Sequence, residues 1–110
     1  YGHNTGDQVL RQMGGILLNS MRQQDVTARW GGEEFVVLLP QTSPAAAAEA
    51  AERLRVEIQS PHFAADLNIT ASFGVAAVTP NTVMGLDELI HGADQKLYAS
   101  KETGRNKVTF

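Results

Sequence analysis

The sequence predicts one mixed α/β domain, on three observations. Three stretches place their apolar residues at helical spacing, two strand-like runs meet at Gly31-Gly32, and a third run from Leu67 to Val78 alternates residue by residue. With 110 residues, 43% of them hydrophobic, the chain is long enough for a single modest core and has no room for a second. It contains no internal repeat and no linker-like segment.

The first helix is expected to begin at Thr5. Thr5-Gly6-Asp7-Gln8 has the form of a capping box, a hydroxyl cap with a glutamine three positions on. Val9, Leu10, Met13, Ile16, Leu17 and Met21 then form the buried stripe. Gly14-Gly15 interrupts it at a cost of about 1 kcal/mol per glycine relative to alanine, which implies a closely packed neighbour or a kink. Asp7 falls in the first turn, where the helix dipole favours a carboxylate in any case. Arg22-Gln23-Gln24-Asp25 ends the helix and reads by composition as an ordinary polar connection.

Val26 to Trp30 alternates, and Phe35-Val36-Val37-Leu38-Leu39 is an apolar run suited to a buried strand. Gly31-Gly32 between them suits a two-residue hairpin turn. Glycines there let a bulky polyanion approach the backbone, because no side chain stands in the way. Glu33 and Glu34 follow at once and point to opposite faces of the strand. Hard oxygen ligands at a hairpin tip point to magnesium, which takes one or two carboxylates together with substrate phosphates. The bare pattern also fits a solvated hairpin carrying two surface glutamates.

Pro40 closes the second strand, and Ser43-Pro44 reads as an N-cap with proline at the first helical position. The helix that follows runs to about Gln59, with Ala47, Ala51, Leu54 and Ile58 facing inward and Pro61 stopping it. In the alternating run, Leu67, Ile69, Ala71, Phe73 and Val75 share one face and Asn68, Thr70 and Ser72 the other, as in a half-buried strand; Gly74 marks a bulge or a close contact. Thr79 to Gly85 is a loop. Leu86, Leu89, Ile90, Ala93, Leu97 and Tyr98 define the last helix, which ends near Lys101 with Gly104 just beyond its C-terminus. Lys101 and Arg105 lie four apart there, where the dipole favours cations. Val108-Thr109-Phe110 is the closing strand.

Composition excludes several function classes. A net charge of -3 and a pI near 5.5 argue against a general DNA, RNA or membrane-surface binder, so an anionic ligand must be held locally. The absence of cysteine removes disulfides and thiolate metal sites and fits a cytoplasmic setting. No apolar run approaches the roughly 20 residues that cross a bilayer, so any membrane anchor is expected in another domain. His3, His62 and His91 share no spacing with acidic partners that would make them metal ligands or catalysts.

Five ordered motifs carry a more specific reading: Gly2-His3-Asn4-Thr5-Gly6-Asp7, Gly31-Gly32-Glu33-Glu34-Phe35, Ser72-Phe73-Gly74-Val75, Ala93-Asp94 to Leu97-Tyr98, and Lys101-Glu102-Thr103-Gly104-Arg105-Asn106. Together they resemble the GGDEF family of diguanylate cyclases, in the GGEEF form. The resemblance implies an α/β domain, an α+β sandwich whose central mixed, largely antiparallel sheet is flanked by helices. That layout is related to polymerase palms and class III nucleotide cyclases. Relatives carry a D-x-D-x-F-K strand and an N-D pair before the point where Tyr1 stands, so the chain is expected to be a GGDEF domain over 1–110 without its N-terminal strand and the helix that follows it.

The activity implied is condensation of two GTP into cyclic di-GMP and two pyrophosphates by a homodimer. Glu33 is then the first metal ligand and proton acceptor, and Glu34 the second metal ligand, with Mg2+ as the ion and Mn2+ the alternative. Asp7 reads the guanine N1 and N2 edge, Leu10 lines the base pocket, Gly31 and Gly32 admit the triphosphate, and Lys101 and Arg105 take the β- and γ-phosphates. Arg22 and Asp25 resemble the RxxD inhibitory site for cyclic di-GMP, with Arg53 as its second arginine; a forked guanidinium suits such contacts. A two-metal site draws a carboxylate from each of two strands, so this chain alone is expected to be inactive. A sensor or receiver domain outside the chain is the expected partner. The rival readings are a non-catalytic cyclic di-GMP receptor and a structural dimerisation domain.

Overall fold

A computed structural model describes residues 3–31, 34–59, 70–78 and 84–110, and the side chains of residues 8–30 and of the later segments. The described elements run α1 (His3–Ser20), β1 (Val26–Gly31), β2 (Glu34–Leu38), α2 (Pro44–Ile58), β3 (Phe73–Gly74), α3 (Leu86–Glu102) and β4 (Val108–Thr109). The helix-and-strand class predicted from sequence is present. Among the described residues the strands pair two by two: β1 with β2 antiparallel, β3 with β4 parallel. No described helix is long and apolar enough to cross a membrane.

Ile58 anchors the packing. It is 1% exposed and gathers Val9, Met13 and Ile16 from α1 and Ala71 and Phe73 from around β3. Ala51, Leu54 and Ile58 are buried as the helical spacing predicted, with Ala47 half-buried. Ser43 caps α2 as expected, its Oγ accepting from Ala46 N at 3.1 Å with Pro44 in the first turn. Pro61 lies outside the described residues, as do Leu67, Asn68 and Ile69.

Several expectations need correction. Helix α1 begins at His3, two residues before the expected cap, and so places Asp7 beyond its first turn. It ends at Ser20, ahead of Arg22. A β-carbon at Gly15 meets no described atom within 4 Å, and one at Gly14 comes only within 4.0 Å of Phe35 Cε1. The glycine pair therefore requires no tight neighbour. Tyr98 is 66% exposed and Leu86 55% exposed, so the buried stripe of α3 is narrower than its periodicity implied.

The run around Phe73 is strand only at Phe73–Gly74. A ladder extends as far as its partner does, and β4 offers two residues, with Phe73 N and Val75 N donating to Lys107 O and Thr109 O at 2.9 Å. The inward-outward alternation is also absent: Ala71 through Ala77 are all half-buried. The reason is that β3 is covered on two sides, by Ile58 against Phe73 and by α3 against Gly74. A β-carbon on Gly74 would fall 2.1 Å from Ala93 O and 2.2 Å from Leu97 N, so of the two sequence readings of Gly74 the close contact is the one found. Ser100, wholly buried on α3, donates to Phe73 O at 2.7 Å and pairs with Thr109 Oγ1 at 2.6 Å.

These contacts give opposite expectations for two glycine-to-alanine substitutions. Gly74→Ala must push helix backbone away and should cost about 3 kcal/mol, the upper part of the range for overpacking. Gly15→Ala, with open space and a helical backbone, should add about 1 kcal/mol. Urea unfolding of both variants checks the pair; a Gly74→Ala protein as stable as the parent would contradict the contact.

Candidate functional site

The hairpin positions the first set of expected residues. Arg29 faces Phe35 and Gly31 faces Glu34, so β1 carries one more residue than β2, and Trp30 is the extra one. Gly31, predicted as a turn residue, belongs to β1. Gly32 and Glu33 lie outside the described residues. Glu34 opens β2 as an exposed carboxylate. Among the described residues no three His, Asp or Glu side chains stand together. An open carboxylate beside a turn fits magnesium, which fills its remaining positions with water and phosphate oxygens.

On α1, Asp7 and Leu10 are three positions apart, hence on adjacent turns, and Leu10 is half-buried. The side chain of Asp7 is outside the description. Helix α3 stops at Glu102 with Thr103 as C-cap and Gly104 at φ +119°, the glycine predicted there. Arg105 and Asn106 continue in the left-handed region at φ 60° and 46°. This bend is held from several sides: Arg105 N donates to Ser100 O at 2.8 Å, Asn106 N to Ser72 Oγ at 3.1 Å, and Arg55 Nη1 to Asn106 Oδ1 at 3.0 Å.

The helix end is capped by a residue the sequence reading passed over. Lys107 Nζ donates to Thr103 O and to Thr103 Oγ1, placing its charge at the negative end of α3. Lys101 and Arg105 form no ion pair with a described residue. Lys107 therefore makes the contact with the helix end, while Lys101 lies in the last turn of α3. Spacing from a helix end does not separate the three cations; the direction of the chain after Gly104 does.

Arg22 and Asp25 are brought together. Asp25 Oδ2 accepts from Arg22 N at 2.8 Å and Nε at 3.3 Å, and Oδ1 from Nη2 at 3.0 Å. Asp25 is 3% exposed at its side chain and Arg22 48%. Arg22 Nη2 also donates to Pro40 O at 3.0 Å and Thr42 Oγ1 at 2.6 Å. Arg53 is exposed on α2 and lines a shallow groove of about 250 Å³ with Ser20, Met21 and Glu57. Its neighbour Arg55 is committed elsewhere, to Glu52, Gln59 and Asn106. Of the two arginines in that stretch, Arg53 is the one open to a ligand.

The comparisons with known proteins agree along the whole chain. Residues 1–107 match the family described as "Diguanylate cyclase, GGDEF domain". Diguanylate cyclase A of Treponema denticola is 39% identical over 113 residues, covering 100% of this chain and 30% of that protein. The GGDEF domain of DgcB from Caulobacter crescentus, solved in complex with c-di-GMP, superposes with a TM-score of 0.86 at 34% identity, covering 99% of this chain and 66% of that one. The active GGEEF domain of a diguanylate cyclase from Vibrio cholerae superposes with a TM-score of 0.89 at 28% identity, over 99% and 70%. The chain belongs to the GGDEF domain family. It spans 18%, 32% and 30% of three of the curated relatives that it matches.

Hydrogen bonds from the Arg22 side chain hold the Asp25 carboxyl below its ordinary value; burial opposes this, and the Arg22 backbone N–H adds to it. A depressed carboxyl stabilises the fold above its unfolded pKa, about 3.9, and loses that contribution as pH falls through the folded value. Asp25→Asn should therefore flatten the stability curve below about pH 4. Denaturant midpoints at a series of acid pH values test it, and parallel curves for parent and variant would show that the pair carries no proton linkage.

Proposed function

We propose that this domain condenses two GTP molecules into cyclic di-GMP, with two copies meeting as an antiparallel homodimer that holds one GTP in each. The observation that carries the reading is the match to diguanylate cyclases over residues 1–107. In each of two steps the 3′-oxygen of one nucleotide forms a bond to the α-phosphorus of the other. The bond from that phosphorus to the bridging oxygen breaks, and pyrophosphate leaves.

The chain's own residues bind and orient the nucleotide. Asp7 accepts hydrogen bonds from guanine N1 and N2, which adenine does not offer, and Leu10 covers the base. Gly31 and Gly32 leave the triphosphate room at the backbone, while Lys101 and Arg105 take its β- and γ-phosphates. Glu33 holds the metal and accepts the proton of the attacking hydroxyl, and Glu34 holds the second ion. Magnesium, or manganese in its place, supplies charge neutralisation at the α-phosphate and acidifies the hydroxyl. Support for the phosphate role comes from Lys107, which caps α3, while neither of the other two cations forms an ion pair with a described residue.

Arg22, Asp25 and Arg53 form the product site through which cyclic di-GMP inhibits. A receptor reading, in which the domain only binds cyclic di-GMP, draws on the same built pair of Arg22 and Asp25. Calorimetry separates the two, because a receptor binds cyclic di-GMP but not a non-hydrolysable GTP analogue with magnesium.

The direct test measures cyclic di-GMP formed from GTP and magnesium by the protein that carries this domain. Glu33→Gln should lower kcat by about a hundredfold or more, a conservative figure for loss of a metal-binding group. Lys101→Ala should act mainly on KM, raising it about tenfold through one lost charge-assisted hydrogen bond. Undiminished turnover by Glu33→Gln would overturn the assignment.

A further inference from the structure

The contacts of Arg22 reach beyond Asp25, and they end on a strained piece of backbone. Gln41, between Pro40 and Thr42, has φ 52°, a left-handed conformation that costs a residue with a β-carbon. This turn joins the end of β2 to the cap of α2. Thr42 Oγ1 donates to Pro40 O at 3.0 Å and accepts from Arg22 Nη2, so the two acceptors that the turn offers the guanidinium lie on either side of Gln41. Arg22 thus bridges the two arms of the turn.

Donor arithmetic shows what a ligand must displace. Nε has one hydrogen, given to Asp25 Oδ2, and Nη2 has two, facing Asp25 Oδ1, Pro40 O and Thr42 Oγ1. The Nε and Nη2 edge is therefore filled by the carboxylate. A phosphate or a guanine edge that takes Arg22 as a fork needs two parallel N–H groups, and the edge remaining is Nη1 with the outer hydrogen of Nη2. That outer hydrogen is the one held by the turn.

We infer that Arg22 is a clamp on the left-handed turn at Pro40–Thr42, and that a forked ligand at Arg22 releases the turn joining β2 to α2. The inference rests on the product-site reading for the identity of the ligand, cyclic di-GMP, while the clamp itself stands on the geometry above. Thr42 is a positioning residue in this scheme, since it acts on the ligand only through Arg22. Release reaches two elements at once: β2, which starts at Glu34 beside the hairpin turn, and α2, which carries Arg53.

Two substitutions away from the ligand then have opposite effects. Thr42→Val removes one of the two acceptors that the turn offers the Nη2 hydrogen and leaves only Pro40 O to be displaced, so cyclic di-GMP should bind tighter by about fivefold. Thr42→Ser, which keeps the hydroxyl, should bind as the parent does. Gln41→Gly removes the strain that opposes the clamp, so the clamped turn becomes harder to open and binding should weaken by about fivefold. Isothermal calorimetry on the protein that carries this domain reads all three. Equal affinities, or shifts of the same sign for Thr42→Val and Gln41→Gly, would overturn the release.

A double-mutant cycle tests the clamp without ligand. Arg22→Met should lower the urea midpoint more in the Gln41→Gly background than in the parent, because only the parent recovers strain when the clamp is lost. Additive midpoint shifts would overturn the clamp. Should the parent fail to bind cyclic di-GMP, the product-site reading falls, and the cycle alone decides whether Arg22 holds the turn.

Discussion

The close passage of α3 over β3 at Gly74 is the constraint on which the rest of this structure depends. Helix backbone at Ala93 and Leu97 occupies the space where any side chain at position 74 would stand. Such an approach brings a helix within reach of a strand's own polar groups, and Ser100 uses it, donating to Phe73 O while paired with Thr109 Oγ1. A fully buried hydroxyl with both partners satisfied stabilises; the same hydroxyl without them would cost about 1–3 kcal/mol. Glycine at one element and serine at the other are therefore a matched pair.

From that contact the bend after α3 follows. With α3 packed against β3 and β4, the chain turns back after its C-terminus, and Gly104, Arg105 and Asn106 do so in left-handed geometry. Hydrogen bonds to Ser72 Oγ and the Ser100 carbonyl and from Arg55 hold the bend, while Lys107 returns to cap the helix. Positive φ at two residues with β-carbons is sustained by surroundings that over-determine it. The second layer packs α1 against α2 through Ile58.

How much of this was legible in the sequence depends on the range of the interaction. Local chemistry was readable: the Ser43-Pro44 start, the Ala51, Leu54 and Ile58 face, and the glycine after α3 each declare themselves within a few residues. The register of the hairpin was not, because the extra residue at Trp30 leaves no mark in composition. Tyr98 fits the helical period yet lies in solvent, since periodicity gives a face and not its width. For the site, the RxxD spacing found the partners Arg22 and Asp25 but gave no hint of Pro40 and Thr42, some twenty positions away. Glu33 and Glu34 were proposed as metal ligands, and Glu33 as the catalytic residue, from the motif alone; of the two, Glu34 lies among the described residues.

Native-state hydrogen exchange tests the central constraint most directly. Among the described strands, the amides of Phe73 and Val75, bonded to Lys107 O and Thr109 O beneath α3, should exchange only through global unfolding and show the largest protection in the domain. Exchange of those two amides at the rates of frayed ends, while amides in the middle of α1 and α2 stay protected, would show that α3 opens independently and would contradict the account.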